Sequence, residues 1–151
     1  LIKFSSDFII GYPGETNKDF KQTLNLLEEV EFINTYSFIF SPRPGTPASK
    51  EKEIDREVAK ERLMIFQQIA KDIKFKYKKN LINKNTNVLI ENKVENKKNE
   101  FFGRDEYSNS VIINSKDNLI GRIKKVRILS GNQNTLFGKL TNKAVDKNFA
   151  A

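Results

Sequence analysis

Two segments rich in chain breakers hold the residues best suited to chemistry. They are Ser6-Asp7-Phe8-Ile9-Ile10-Gly11-Tyr12-Pro13-Gly14-Glu15-Thr16 and Ser41-Pro42-Arg43-Pro44-Gly45-Thr46-Pro47-Ala48. Gly11 and Gly14 remove side chains where a ligand or a neighbouring backbone can come close. Asp7 could hydrogen-bond a ribose or simply cap a strand edge. Glu15 stands where a helix begins, a position that favours a carboxylate by about 0.3–1 kcal/mol, so a structural role is sufficient for it. Arg43 lies between two prolines, a cation on a stiff loop. It could meet a carboxylate or phosphate, or pair with Glu15 or Asp7. Ligands of open α/β sheets and (β/α) barrels bind in loops that follow the carboxyl ends of strands, and both segments follow apolar, strand-like runs. Taken by themselves, these features describe the ligand rim of an α/β barrel.

A second constellation lies in the C-terminal half. Arg104, Arg122, Lys124, Lys125, Arg127 and Lys139 fall on or beside short strands, with Phe101, Phe102, Tyr107 and Phe137 interleaved. Cations neutralise phosphates, and exposed aromatic rings stack on unpaired bases. The competing reading is that most of these rings are core. Because strand side chains alternate in direction, only one of Phe101 and Phe102 can point inward. The whole chain carries 27 Lys and Arg against 19 Asp and Glu, a net charge of +8 that favours phosphate-rich partners. Cysteine and histidine are absent. The chain therefore offers no disulfide, thiol nucleophile, imidazole base or thiolate set for an iron–sulfur cluster.

Several elements must position these residues. Ile2 to Ile10 reads as a buried strand of a parallel sheet, ended by Gly11-Tyr12-Pro13-Gly14. A helix is predicted from about Asn17 to Glu31, with Thr16 as N-cap and Asp19 completing a capping box. Tyr36 to Phe40 is a second apolar strand, so strand, helix and strand form one right-handed βαβ unit. A long helix follows, about Asp55 to Lys79. Its stripe of Ala59, Leu63, Phe66, Ala70, Ile73 and Tyr77 is a packing face, and its terminal Lys74, Lys76, Lys78 and Lys79 suit the negative end of the helix dipole as a solvated cluster. From Asn80 the period becomes strand-like. Thr86 to Glu91, Glu100 to Arg104, Ser110 to Asn114, Gly121 to Leu129 and Thr135 to Leu140 are spaced as the strands of a small barrel.

The fold class is thus α/β followed by all-β. Residues 1–79 form a barrel piece with its long helix, 80–141 a β-barrel, and 142–151 a frayed tail. No stretch approaches the roughly 18 apolar residues of a membrane span. The start at Leu1, almost directly in strand-like sequence, reads as cut.

The segment from Asp7 to Thr16 resembles the late-barrel strand and turn of radical-SAM methylthiotransferases. Ile9 and Gly11 are similar to the Ile-x-Gly that lies beside the adenine of S-adenosylmethionine in such barrels. Asp7 replaces the Gly of the generic pattern, as is usual in the methylthiotransferase branch. Tyr36 to Ala48 resembles the tRNA 2-methylthioadenosine synthases, with the branch acting on threonylcarbamoyl-adenosine close behind. Gly103 to Val111, Leu119-Ile-Gly-Arg122 and Leu136-Phe-Gly-Lys-Leu140 resemble a TRAM domain, the five-stranded OB-like barrel with which this family grips tRNA.

The resemblance implies the last βαβ piece of a radical-SAM barrel, a connecting helix and a TRAM barrel. It implies S-adenosylmethionine and two 4Fe–4S clusters in the full enzyme, with the cluster cysteines upstream of Leu1, and hence an inactive fragment. Asp7, Ile9, Gly11 and Arg43 are the cofactor-side candidates. Arg104, Tyr107, Arg122, Lys124 and Lys139 are the candidates for contact with the tRNA anticodon stem-loop. A cytoplasmic, monomeric protein is expected. A stand-alone RNA-binding module without catalysis is the competing reading.

Overall fold

Alternation of side chains sets the first pair of strands, β1 (Ser5–Ile10) and β2 (Asn34–Ile39), which run parallel with Ser5 opposite Asn34 and Ile10 opposite Ile39. The computed structural model describes residues 2–141 and divides between Lys74 and Phe75 into two units, taken here in turn. The tail expected over 142–151 lies outside the described residues. β1 begins three residues later than the sequence suggests, because β2 offers no partner before Asn34; Phe4 contributes only its carbonyl, which accepts from the Ile33 N–H at 3.0 Å.

Between the strands runs α1 (Asn17–Val30). Its capping box is as the sequence predicts. The Thr16 hydroxyl accepts from the Asp19 N–H at 3.2 Å, and the Asp19 carboxylate accepts from the Thr16 N–H at 2.9 Å and from its hydroxyl at 2.7 Å. Two of the helix's otherwise unpaired donors are thereby satisfied locally. α1 stops at Glu31, which turns left-handed (φ 50°) and donates its N–H to the Leu27 carbonyl.

A short 3-10 helix over Pro47–Lys50, which the sequence reading lacks, precedes α2 (Arg56–Lys79). Asp55 caps α2, accepting from the N–H groups of Glu57 (2.8 Å) and Val58 (3.3 Å). The predicted stripe of α2 is its packing face. Phe66 is fully buried with Ile10, Phe20 and Leu27, and Leu63, Ala70 and Ile73 lean on that cluster. Phe8 joins it through its ring, 4.7 Å from Phe66 and 5.4 Å from Phe32. Only one face of the sheet is covered this way.

The second unit is a closed barrel of five strands, β3 (Asn85–Lys93), β4 (Glu100–Asp105), β5 (Ser110–Asn114), β6 (Ile123–Gly131) and β7 (Thr135–Leu140), in the order β3-β4-β5-β7-β6. β3 pairs with β6 to close it, and β5 with β7 is the parallel pair. Inward positions are apolar: Val88, Ile90, Phe101, Val111, Ile113, Val126, Ile128 and Leu136, with Leu119 from the loop before β6. Phe101 is the inward member of its pair and Phe102 faces out, half-buried. Burying such side chains stabilises by about 1.5–3 kcal/mol each, set against the entropy of ordering the strands.

The lysines at the end of α2 correct one expectation. Lys78 is 3% exposed and donates to the Gln133 carbonyl at 2.7 Å, and Lys74 donates to Asn34 Oδ1 at 2.7 Å. They are not a uniform solvated face. An aliphatic stem can lie along apolar surface while its ammonium finds a carbonyl, a choice that helical spacing cannot reveal. Among the described residues no helix is long and apolar enough to cross a membrane.

Candidate functional sites

Because β1 and β2 are parallel, the loops after Ile10 and Ile39 leave the same end of the sheet. The Phe40 N–H donates to the Ile10 carbonyl at 2.8 Å, and the Tyr12 and Phe40 rings meet edge to face at 5.2 Å. Ile9, Tyr12, Phe38, Phe40, Arg43 and Thr46 are among the residues lining an open cavity of about 530 Å³ beside this rim. Its walls are apolar and aromatic, with one guanidinium at the edge. The arrangement offers exposed apolar and aromatic surface with a cation at its edge.

The four cofactor-side candidates do not all reach that cavity. Ile9 and Arg43 do. Asp7 lies on the same exposed sheet face, two residues before Ile9 and opposite Tyr36, but outside the cavity lining. Gly11 is buried and lines a neighbouring cavity of about 370 Å³ with Ala59 and Ile54. A packing demand accounts for Gly11: its φ is +74°, and an added Cβ would stand 2.8 Å from the Ala59 Cβ.

The sequence reading missed Arg62. This α2 residue is 7% exposed, and its guanidinium meets Glu15 Oε1 at 2.6 Å, the Glu15 carbonyl at 3.0 Å and Asn17 Oδ1 at 2.7 Å. The other Glu15 oxygen accepts the Gly11 N–H at 3.0 Å. Glu15 therefore pairs with Arg62 and not with Arg43, and the Gly11–Glu15 turn is tied to α2 from both of its ends. Phe20 stacks beneath the same guanidinium at 5.5 Å. On the sequence, Arg62 interrupts the apolar stripe beside Leu63, and an arginine next to a packing face was the available signal.

On the barrel, the segment Gly103 to Ser110 folds around Asp105. This buried carboxylate accepts from the N–H groups of Tyr107 (2.9 Å) and Asn109 (2.8 Å) and from Asn109 Nδ2 (2.9 Å). Asn109 Nδ2 also donates to the Tyr77 hydroxyl at 3.4 Å. Burial raises the Tyr77 pKa above the ordinary phenol value, opposed by that hydrogen bond and helped by the Asp105 charge. The five RNA-contact candidates separate. Arg104 faces out, but lies 3.5 Å from Glu91 Oε2 and over the Phe102 ring at 5.7 Å. Tyr107 is half-buried in the Asp105 turn, and Arg122 is exposed just before β6. Lys124 is opposite the buried Val88 on the inward alternation of β6 and is half-buried. Lys139 is exposed on β7, directly opposite Arg127.

Comparison with known proteins bears on both units. Residues 79–141 match the TRAM domain family. The chain is 51% identical over 146 residues to a tRNA-2-methylthio-N(6)-dimethylallyladenosine synthase of Pelagibacter ubique, a match covering 97% of this chain and 32% of that protein. Synthases of the same name from Wolbachia pipientis subsp. Culex pipiens and Vibrio cholerae are 40% and 38% identical, covering 91% and 97% of this chain and 32% and 31% of theirs. The chain thus spans about a third of the length of the relatives it matches.

Proposed function

We propose, for a chain that belongs to the tRNA methylthiotransferase family and matches the C-terminal part of its members, that it supplies one wall of a cofactor and substrate pocket and an RNA-binding barrel to a tRNA methylthiotransferase. The reaction is addition of a 2-methylthio group to isopentenyl-adenosine beside the anticodon. The observation that carries this reading is the 51% identity running through both units, over 97% of the chain, to a synthase with that substrate in its name.

In this reading β1, α1 and β2 are the last βαβ piece of a radical-SAM barrel. Ile9 forms an apolar wall for the adenine of S-adenosylmethionine and Arg43 takes its carboxylate; the lining of the rim cavity supports both roles. Asp7 lies on the same face, placed for the incoming nucleoside, and Gly11 lets α2 approach the rim. S-adenosylmethionine and two 4Fe–4S clusters supply the radical chemistry, and this chain, with no cysteine, contributes binding and orientation. The polypeptide by itself is accordingly inactive. The barrel holds the anticodon stem-loop, with Arg104, Tyr107, Arg122, Lys124 and Lys139 as the candidate contacts.

Mass spectrometry of tRNA from cells with and without the gene that encodes this chain tests the activity. Loss of 2-methylthio-isopentenyl-adenosine, with accumulation of isopentenyl-adenosine, is expected. An unchanged level, or loss of 2-methylthio-threonylcarbamoyl-adenosine in its place, refutes the substrate. The closed barrel also suits a binding module without catalysis. A longer reading frame encoding Cys-x-x-x-Cys-x-x-Cys upstream of Leu1 favours the enzyme over that module.

A further inference from the structure

On the antiparallel β6–β7 pair Arg127 stands directly opposite Lys139, and both are exposed. Lys125, two residues from Arg127 on the same outward alternation, is exposed as well and faces Asn87 across the β3 edge; Arg127 faces Asn85. Like charges placed opposite each other on one sheet face destabilise it. Among the described residues no carboxylate pairs with any of the three. Asn85 and Asn87 stand opposite them on β3, and the nearest negative charge recorded there is the Glu106 carboxylate, which accepts from Asn87 Nδ2 at 2.7 Å and forms no ion pair with the three cations. The arrangement is also held tightly. Gly138, between Phe137 and Lys139, packs against Val126 where a side chain would collide, and the Thr141 N–H and hydroxyl both bond the Lys125 carbonyl, at 3.0 and 3.1 Å. These contacts hold β7 against β6 in the register that sets Arg127 opposite Lys139. Arg104, by contrast, has its charge partly met by Glu91 at 3.5 Å.

Cations gathered on one sheet face without an ion-pair partner repel one another, a cost that a bound polyanion removes. We infer that Lys125, Arg127 and Lys139 on the outer face of β6 and β7 form the phosphate-binding track by which the barrel holds RNA, with Phe137, outward on the same strand as Lys139, available for stacking. The inference rests on the RNA-binding reading above and moves the main contact from Arg104 and Lys124 to this strand pair. Two cations at alternate positions of one strand are spaced by about 6.6–6.8 Å, and the third stands beside them, so the track can engage more than one phosphate.

The test is binding of an anticodon stem-loop RNA to the 151-residue chain across a salt series, with thermal unfolding in parallel. The double variant Arg127→Gln/Lys139→Gln should bind about tenfold more weakly and lose about two units from the slope of log affinity against log salt. Its melting temperature should hold or rise, since like-charge repulsion is removed; a merely structural role for these residues would lower it. Arg104→Gln should change affinity and slope less. If the parent chain binds RNA but the double variant binds with the same affinity and slope, the track is wrong and the RNA-binding reading stands. If the parent fails to bind even at low salt, both fall.

Discussion

The two units solve the problem of sheet edges and faces in opposite ways. In the barrel, β3 closes on β6, every strand has two neighbours, and the interior is one continuous apolar cluster. In the first unit β1 and β2 have only each other among the described residues. One face is packed by α1 and α2, while Ile9, Tyr36 and Phe38 on the other remain 60%, 62% and 58% exposed. Exposed apolar surface next to a ligand-sized cavity marks a site of contact. Closure gives the barrel stability and frees its exterior for charge. The open sheet leaves its exterior apolar and relies on a few specific tethers for its shape.

That contrast is sharpest at the tethers. Arg62→Met should have the largest effect, because it strands the nearly buried Glu15 carboxylate and takes the donor from the Glu15 carbonyl and Asn17 Oδ1. Breaking a buried ion pair from one side costs about 3–5 kcal/mol. Hydrogen exchange should show lost protection in β1 and the start of α1. Adding Glu15→Gln, which keeps an acceptor for the Gly11 N–H but removes the charge, should recover a substantial part. If Arg62→Met alone is neutral, the first unit does not depend on this tether and the contrast with the barrel fails.

The barrel should be vulnerable at its closest strand contacts, not at ion pairs. Gly103→Ala would drive a Cβ against the Leu89 carbonyl of the adjacent strand and 2.8 Å from Val88 Cγ1. Overpacking of this kind costs about 1–3 kcal/mol, read as a lower midpoint in urea and faster exchange in β3 and β4. Glu91→Gln, which removes the ion pair between Glu91 and half-exposed Arg104 at 3.5 Å, should cost under about 1 kcal/mol.

Period, breakers and caps carried most of the fold to the reader of the sequence. The Thr16–Asp19 box, the α2 stripe and the barrel strands from Glu100 to Asn114 and from Thr135 to Leu140 stand where local pattern puts them, since each is set by neighbours in sequence. The candidate sites were legible by residue type only. Glu15 chose Arg62, 47 residues away, over Arg43, and Lys78 chose a carbonyl 55 residues away over solvent. The opposition of Arg127 and Lys139 depends on the register of the β6–β7 hairpin, where a bulge between Ile128 and Ser130 shifts the count by one. That Lys124 sits half-buried on the inward alternation of β6 is visible only once its register against Val88 is known.

The smallest effects belong to the cap that starts α1. Thr16→Ala should cost about 1 kcal/mol, less than the Arg62 tether though it lies one residue from Glu15. The Thr16 hydroxyl first, and then its backbone N–H, hold the Asp19 carboxyl below its ordinary pKa. A depressed carboxylate pKa means that the unfolded chain takes up the proton first as pH falls. The stabilisation is therefore full above the unfolded pKa, near the ordinary range of about 4, and disappears as pH drops through the lower folded value. Acid unfolding followed through the exchange of α1 amides should show this arm in the parent and lose it in Asp19→Asn. An acid arm that survives Asp19→Asn would show that the Thr16–Asp19 box is not its source.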